Sequence, residues 1–187
     1  MTGPETPDWE ARYQQPGYWC GEEPVDFLRE HLEELPRGAA LDLAMGEGRN
    51  AVFLARHGFT VTGIEKSPTA IAKARERAAK DEVQLTVIRA DLEDYQLPVE
   101  QFDVVLCFYY LQRSLFRPMV AVLKPGSALV AQTYTVEQLQ FSRGPRKREH
   151  LLEPNELFRA FLRLRVAYYR EVTRDERAIA SLLAYKL

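Results

Sequence analysis

Apolar positions along this chain change period in a regular order. Residues 39–43 form a short apolar run that stops at small residues. Residues 48–57 then repeat apolar positions at helical spacing, and Gly58 is a good C-terminal stop. Residues 60–64 are β-branched and strand-like. Ser67 followed by Pro68 is an N-cap with proline at the first helical position, which opens a helix reaching Lys80. Residues 84–90 read as a strand, and residues 102–108 are apolar enough for a central buried one. A helix over 111–123, a turn at Lys124-Pro125-Gly126 and a strand over 127–134 follow.

Two regions stand outside this alternation. Residues 1–22 form an arm carrying Trp9, Tyr13, Tyr18 and Trp19. The arm leads into a helix over 23–34, patterned on Phe27, Leu28, His31 and Leu32. Beyond residue 134 comes a polar loop over 135–150, then a short helix over 153–162. Strands over 163–172 and 178–186, joined by Thr173-Arg174-Asp175-Glu176, close the chain as a hairpin. The order β-α-β-α predicts an α/β fold: a doubly wound, mostly parallel sheet, with a C-terminal antiparallel hairpin at one end.

Composition narrows the function classes. A length of 187 residues and an apolar fraction of 46% fit one domain with a sizeable core, spanning residues 1–187. A formal net charge of -2 gives no drive toward nucleic acid or anionic membrane, so neither is an expected partner. Cys20 and Cys107 are far apart, and Cys107 sits in an apolar run, so no disulfide framework is expected. The segment from Met1 to Glu10 is polar and lacks the basic and apolar regions of a secretory signal. No apolar stretch reaches the roughly 18 residues of a membrane span, and the expected location is the cytoplasm.

The chemistry concentrates at Leu41-Asp42-Leu43-Ala44-Met45-Gly46-Glu47-Gly48-Arg49-Asn50, where a strand hands over to a helix through glycines. Such a turn brings bare backbone close to a ligand. Gly46-x-Gly48-x-x-Ala51 formally matches a dinucleotide fingerprint. A pyrophosphate needs unopposed N–H dipoles there, whereas Asp42 and Glu47 put negative charge before and inside the turn. S-adenosylmethionine (SAM) carries an ammonium and a sulfonium and no phosphate, so it suits an acidic turn, and either Arg49 or the N–H groups at the helix start can meet its carboxylate. Glu65 ends the second strand, where a carboxylate can accept from ribose hydroxyls. Asp91 ends the third, where it can accept from an adenine amino group beside the apolar Leu92. Phe108, Tyr109 and Tyr110 end the fourth and can wall the adenine or a substrate.

On these residues the chain resembles the class I SAM-dependent methyltransferases, in particular the tellurite-resistance-type (TehB-like) branch. The likeness rests on the glycine string above, on Val61-Thr62-Gly63-Ile64-Glu65-Lys66-Ser67, on Ala90-Asp91-Leu92 and on Leu123-Lys124-Pro125-Gly126. Trp9-x-x-x-Tyr13 in the arm adds to it. The resemblance implies a seven-stranded Rossmann-like sheet with the last strand antiparallel. It also implies a SAM site, left with S-adenosylhomocysteine (SAH) after turnover. Tyr13, Asp42, Ala44, Gly46, Gly48, Arg49, Asn50, Glu65, Lys66, Ser67, Asp91, Leu92 and Phe108 would line that site. The chain departs from the branch at Met45, where Cys is usual, at Ser127, where Gly is common, and in a short hairpin turn over 173–177 without His.

Methyl transfer from a sulfonium is an in-line displacement that mainly demands alignment and exclusion of water. A base is needed only for a protonated nucleophile. His31 and His57 read as structural, and no catalytic base is assigned. This suits a small soft or ionised acceptor such as a thiol, selenite or tellurite. Trp19, Tyr109, Tyr110, Arg143, Arg146 and His150 are the candidate acceptor-side residues, with Lys147 and Arg148 adding charge to the same loop. The sequence sets no oligomeric state and names no metal. A nicotinamide-dependent oxidoreductase and a non-catalytic SAM-binding module remain as alternatives. Phe108-Tyr109-Tyr110-Leu111 is not the Asn/Asp-Pro-Pro-aromatic motif of DNA amino-methyltransferases, and Cys107 follows Leu106 rather than the proline of cytosine enzymes.

Overall fold

In a computed structural model, which describes residues 8–187, the period changes in the sequence become strands and helices in turn. The strands are β1 (Ala39–Leu43), β2 (Thr60–Glu65), β3 (Leu85–Arg89), β4 (Phe102–Phe108), β5 (Leu123–Tyr134), β6 (Arg165–Arg174) and β7 (Arg177–Tyr185). The helices are α1 (Trp9–Tyr13), α2 (Asp26–Glu30), α3 (Arg49–Arg56), α4 (Pro68–Lys80), α5 (Phe116–Ala121) and α6 (Glu156–Ala160). One seven-stranded sheet runs in the order β3-β2-β1-β4-β5-β7-β6. β3 through β5 are parallel, and β7 inserts antiparallel between β5 and β6.

Period-2 alternation divides the core between the two faces. Ala40, Val104, Leu106 and Val130 meet Phe27, Leu28, Leu54 and Ile71 from α2, α3 and α4. Leu41, Leu43, Val105 and Leu129 meet Met119, Leu157 and Phe161 on the α5–α6 side. Asp42 therefore lies on the α3 face, between the positions of Ala40 and the glycine turn. The edge strand β6 carries Arg165, Arg170, Glu171 and Arg174, charges that discourage pairing with another chain. Among the described residues no helix is long and apolar enough to cross a membrane. Both thiols are free. Apart from its last three residues, the polar start from Met1 to Glu10 lies outside the described residues.

Several elements differ from the expectation, each for a local reason. The helix expected over 23–34 is split into α2 and a 3-10 turn at Leu32–Glu34. The break is at His31, whose Nδ1 lies 2.6 Å from Glu34 and whose ring packs edge-on against Phe27. The helix expected over 111–123 shrinks to a 3-10 turn at Arg113–Leu115 plus α5. Gln112 is drawn away from it, its Nε2 donating to Leu92 O at 3.3 Å and to Ser114 Oγ at 2.9 Å. β5 starts earlier than expected because Leu123 already pairs with Phe102, so Lys124-Pro125-Gly126 is an irregularity within the strand. The helix expected over 153–162 shortens to α6, which Asn155 opens in the left-handed region. The closing hairpin zips to Arg174↔Arg177, leaving only Asp175 and Glu176 in the turn, both with positive φ.

Gly63 shows how closely the site-bearing layer is packed. A Cβ at this position would run into the Met45 side chain, which fills the space above it. Gly63→Ala is expected to destabilise by about 1–3 kcal/mol, the usual cost of overpacking. Met45→Ala in the same chain should return part of that loss, as urea unfolding of the single and double variants would show. An additive pair would mean that the two sites do not share this space.

Candidate functional site

The site grows from the C-terminal ends of the parallel strands, which the registers Leu43↔Ile64, Leu43↔Cys107 and Glu65↔Arg89 align along one edge. After β1 the backbone enters the left-handed region at Ala44 (φ 52°), Gly46 (φ 56°) and Gly48 (φ 77°). A Cβ at Gly48 would stand 2.8 Å from that of Ala74, so this glycine lets α3 and α4 approach. A Cβ at Gly46 would stand 3.0 Å from the Tyr13 hydroxyl, so the arm lies directly over the turn.

Besides Glu47 within it, Glu65 and Asp42 border this turn, and Asp91 stands farther along the edge, after β3. Glu65 Oε2 accepts from Gly46 N–H at 2.9 Å, and Oε1 accepts from the N–H groups of Lys66 and Ser67, each at 2.9 Å. Ser67 also caps α4, accepting from Ala70 N–H at 3.0 Å. Asp91 accepts from Glu93 N–H at 3.0 Å and from Lys66 Nζ at 3.2 Å. The Glu93 bond first, then Lys66, hold its carboxyl below the usual range despite some burial. Asp42 is different: it is 2% exposed, and among the described residues no group hydrogen-bonds its Oδ2. Burial pushes its pKa up to about 7, aided by the charge of Glu65 and opposed by Arg49 and by Ala51 N–H.

Glu47 corrects the electrostatic reading of the turn. Its side chain is 1% exposed, with Oε1 3.1 Å from Lys73 Nζ and Oε2 accepting from Cys20 N–H at 3.0 Å. Its charge is thus neutralised by α4 and tied to the arm, and the acidity beside the turn comes from Asp42 and Glu65 instead. Arg49 donates to Cys20 O, and Asn50 Oδ1 accepts from Val25 N–H at 2.9 Å. The polar side chains of Glu47, Arg49 and Asn50 all hold the N-terminal segment. From α4, Lys73 donates to Gln15 O at 2.9 Å and to Gly17 O. Arg77 donates to Glu22 O at 2.7 Å and Gly21 O at 3.0 Å, with its guanidinium 3.8 Å from the Tyr18 ring centroid. Glu10 accepts from the hydroxyls of Ser67 and Thr69, which lower its pKa. Sequence reasoning missed Glu10, Lys73 and Arg77; the i,i+4 spacing of the last two on one helix face was the only signal.

Beyond the turn, Leu92 and Phe108 are buried at strand ends beside the site. Tyr109 is held in the left-handed region (φ 57°), with Arg49 5.9 Å above its ring and Tyr134 5.2 Å away. Tyr110 donates to Gln112 Oε1 at 2.6 Å. Trp19 is 47% exposed with Arg12 over its ring. The basic loop contains two 3-10 turns, Val136–Gln140 and Arg148–His150. Its charges are spent locally. Arg143 lies 4.0 Å from Glu176, Arg146 donates to Leu139 O and Phe141 O, and Arg148 pairs with Glu153 at 2.9 Å. His150 Nε2 lies 3.5 Å from Glu149. Among the described residues no group of His, Cys, Asp and Glu is placed to hold a metal ion.

The residues present fit SAM. The left-handed glycine turn follows β1, the buried Asp42 Oδ2 has no hydrogen-bond partner among the described residues, and Glu65 and Asp91 stand at or just beyond successive strand ends. Residues 40–126 match the family described as a methyltransferase domain. The mitochondrial ubiquinone biosynthesis O-methyltransferase of Schizosaccharomyces pombe is 35% identical over 120 residues, 58% of this chain and 43% of that protein. Hemagglutinin 1 of Eikenella corrodens is 31% identical over 108 residues, 53% of this chain and 35% of that protein. The chain thus spans less than half the length of these curated relatives. In fold it is similar to the SAM-dependent methyltransferase of Mesorhizobium loti, with a TM-score of 0.71 at 22% identity over 89% of this chain and all of that one. Residues 40–126 thus carry the methyltransferase-domain match, and the sheet is similar to that of solved SAM-dependent methyltransferases. TehB from Haemophilus influenzae shares the fold with a TM-score of 0.75 at 18% identity, over 88% of this chain and 63% of that one.

Asp42 gives the site a pH signature. Its folded pKa, about 7, lies above the ordinary aspartate value of 3.8, so the folded state binds the extra proton between these limits. Its contribution to stability is then greatest at low pH and falls as pH rises from about 4 to 7. Asp42→Asn should flatten this slope and gain on the order of a few kcal/mol relative to the parent by pH 8. Urea unfolding of both proteins across that window measures it; parallel stability curves would show that the carboxyl titrates normally.

Proposed function

We propose that this chain transfers a methyl group from SAM to a small-molecule acceptor, a thiol or an oxyanion such as selenite or tellurite. The single observation that carries the reading is the pair of carboxyls beside one glycine turn: Glu65, which accepts from Gly46 N–H, and Asp42, whose buried Oδ2 has no hydrogen-bond partner among the described residues. The group bound there supplies an activated methyl on a sulfonium with a good leaving thioether.

The chain's own residues do the rest. Asp42 Oδ2 holds the ligand's ammonium, and Arg49 meets its carboxylate at the start of α3. Glu65 accepts from the ribose: its two oxygens offer about four lone-pair positions, and backbone N–H groups take three of them. Lys66 and Asp91 stand at the adenine side, with Leu92 and Phe108 as apolar walls. Tyr13 and the described part of the arm, residues 8–22, cover the turn and exclude water. Ala44, Gly46 and Gly48 bring backbone to the ligand, and Ser67 holds the α4 start in place. Asn50 contributes through the arm, by its bond to Val25. Tyr109, Tyr110 and the loop bearing Arg143, Arg146 and His150 flank the acceptor side, and Trp19 belongs to the covering arm. The reading places the protein in the cytoplasm as a single methyltransferase domain with no nucleic-acid or membrane partner.

Titration calorimetry with SAM and SAH tests the cofactor, and transfer of label from methyl-labelled SAM to a set of thiols and oxyanions tests the reaction. Glu65→Gln should weaken SAM binding by about 10- to 100-fold, because it removes a charged acceptor from the ribose hydroxyls. Absence of binding at millimolar SAM would overturn the reading. Binding without transfer to any acceptor would favour the non-catalytic module instead.

A further inference from the structure

Tyr109 combines features that packing alone does not explain. It is a large residue in the left-handed region (φ 57°), where a bulky side chain is a genuine outlier, and it stands at the tip of the central strand β4. Both of its polar ends are fixed by one residue. Its N–H donates to Gln132 O at 2.7 Å, and its phenolic oxygen accepts from Gln132 Nε2, also at 2.7 Å. Gln132 in turn accepts from Ser181 Oγ at 2.8 Å. Gln132 and Ser181 are cross-strand partners on β5 and β7, 3% and 0% exposed, in a stretch that is otherwise almost entirely apolar.

A buried polar pair between two apolar strands is not needed to hold a sheet, since apolar residues of the same shape do that as well or better. The pair's one product is the orientation of the Tyr109 phenol. With Gln132 donating into the phenolic oxygen, the phenol's own hydrogen is left to point elsewhere. The groups against the ring are Arg49, 5.9 Å from its centroid, and Tyr134, 5.2 Å away, with Arg177 close enough to act on the Tyr134 hydroxyl. This surrounding offers hydrogen-bond donors and positive charge, and among the described residues no carboxylate or imidazole is recorded against the ring to remove a proton.

We propose that Tyr109 is the acceptor-binding residue of this site, that Gln132 and Ser181 are its positioning residues, and that the acceptor arrives already ionised, as a thiolate or an oxyanion. The proposal rests on the SAM-dependent reading above and narrows its substrate class. The Tyr109 hydroxyl donates a hydrogen bond to the anionic end of the acceptor. The acceptor's lone pair forms the new bond to the methyl carbon as the methyl–sulfur electrons return to sulfur. A neutral thioether leaves, and no proton has to be taken from the acceptor.

The test is a cycle of Tyr109→Phe, Gln132→Met and the double variant, assayed with labelled SAM against selenite, tellurite and benzenethiol, with catechol as the protonated comparison. Tyr109→Phe should raise the KM for the ionised probes about tenfold, the loss of one hydrogen bond to a charged group, while the KM for SAM stays within about twofold. Gln132→Met should do the same, and the double variant should be no worse than Tyr109→Phe, because Gln132 acts through Tyr109. Should Gln132→Met fail to fold, Ser181→Ala tests the far end of the same chain. Additive losses, or equal shifts in the KM for SAM and acceptor, would reduce Gln132 to a packing role and overturn the proposal. Methylation of catechol alone, or of no probe by a protein that binds SAH, would overturn the acceptor class. Failure to bind SAH at all is a separate outcome that removes the SAM-dependent reading itself, and this proposal with it.

Discussion

A single buried carboxylate holds the functional edge of this protein together. Glu47 sits within the glycine turn, yet it faces Lys73 of α4 and the backbone of Cys20 in the arm. Three segments distant in sequence meet at that one group: the turn that would receive a ligand, the helix behind it and the strap in front. An unpaired charge in this position would be costly, on the order of 3–5 kcal/mol, so turn, helix and arm are stable as a set and not separately. Arg49 and Asn50 add one bond each to the same strap, and Arg77 secures it from the far side.

This arrangement changes what the glycine string means. Read linearly, its acidic residues look like a field that selects a cationic ligand. In three dimensions they divide the work. Glu47 is neutralised and structural, while Asp42, one residue inside the strand end and on the α3 face, keeps an oxygen without a hydrogen-bond partner among the described residues. Discrimination against a diphosphate thus falls to Glu65, which takes the Gly46 N–H, and to Asp42. The Asp42 carboxyl is the one whose burial raises its pKa to about 7, so that selecting charge is itself sensitive to its surroundings.

Most of the frame was legible in the sequence because it is written locally. The shift from the apolar run of β1 to helical spacing in α3 and the Ser67-Pro68 start of α4 each depend on neighbouring residues alone. The residues at the strand ends followed from the same pattern: once β1 to β4 are parallel, Asp42, Glu65, Asp91 and Phe108 fall on one edge. Contacts made across the sheet or by the arm were not legible. Nothing near Asn50 announces that its carboxamide will meet Val25, and the loop arginines read as a substrate field until their acceptors, carbonyls and acids of the same region, are known. The Met45–Gly63 fit was half visible, as a departure at one position and a glycine in a strand at the other, but their meeting is a fact of β1 lying beside β2.

The C-terminal hairpin shows how a topological choice reaches the site. Because β7 lies between β5 and β6, Ser181 stands opposite Gln132 rather than at the edge of the sheet. Gln132 is then satisfied on one side by a strand added late in the chain and on the other by Tyr109 at the tip of β4. A sheet that ended at β5 would leave Gln132 at its rim, hydrated and free to rotate, and the strained backbone at Tyr109 would lose the partner that fixes both its ends. The hairpin thus completes the hydrogen bonding of a residue on the ligand edge as well as covering a sheet edge. The two polar residues placed in otherwise apolar stretches of β5 and β7 are the sequence's record of that second role.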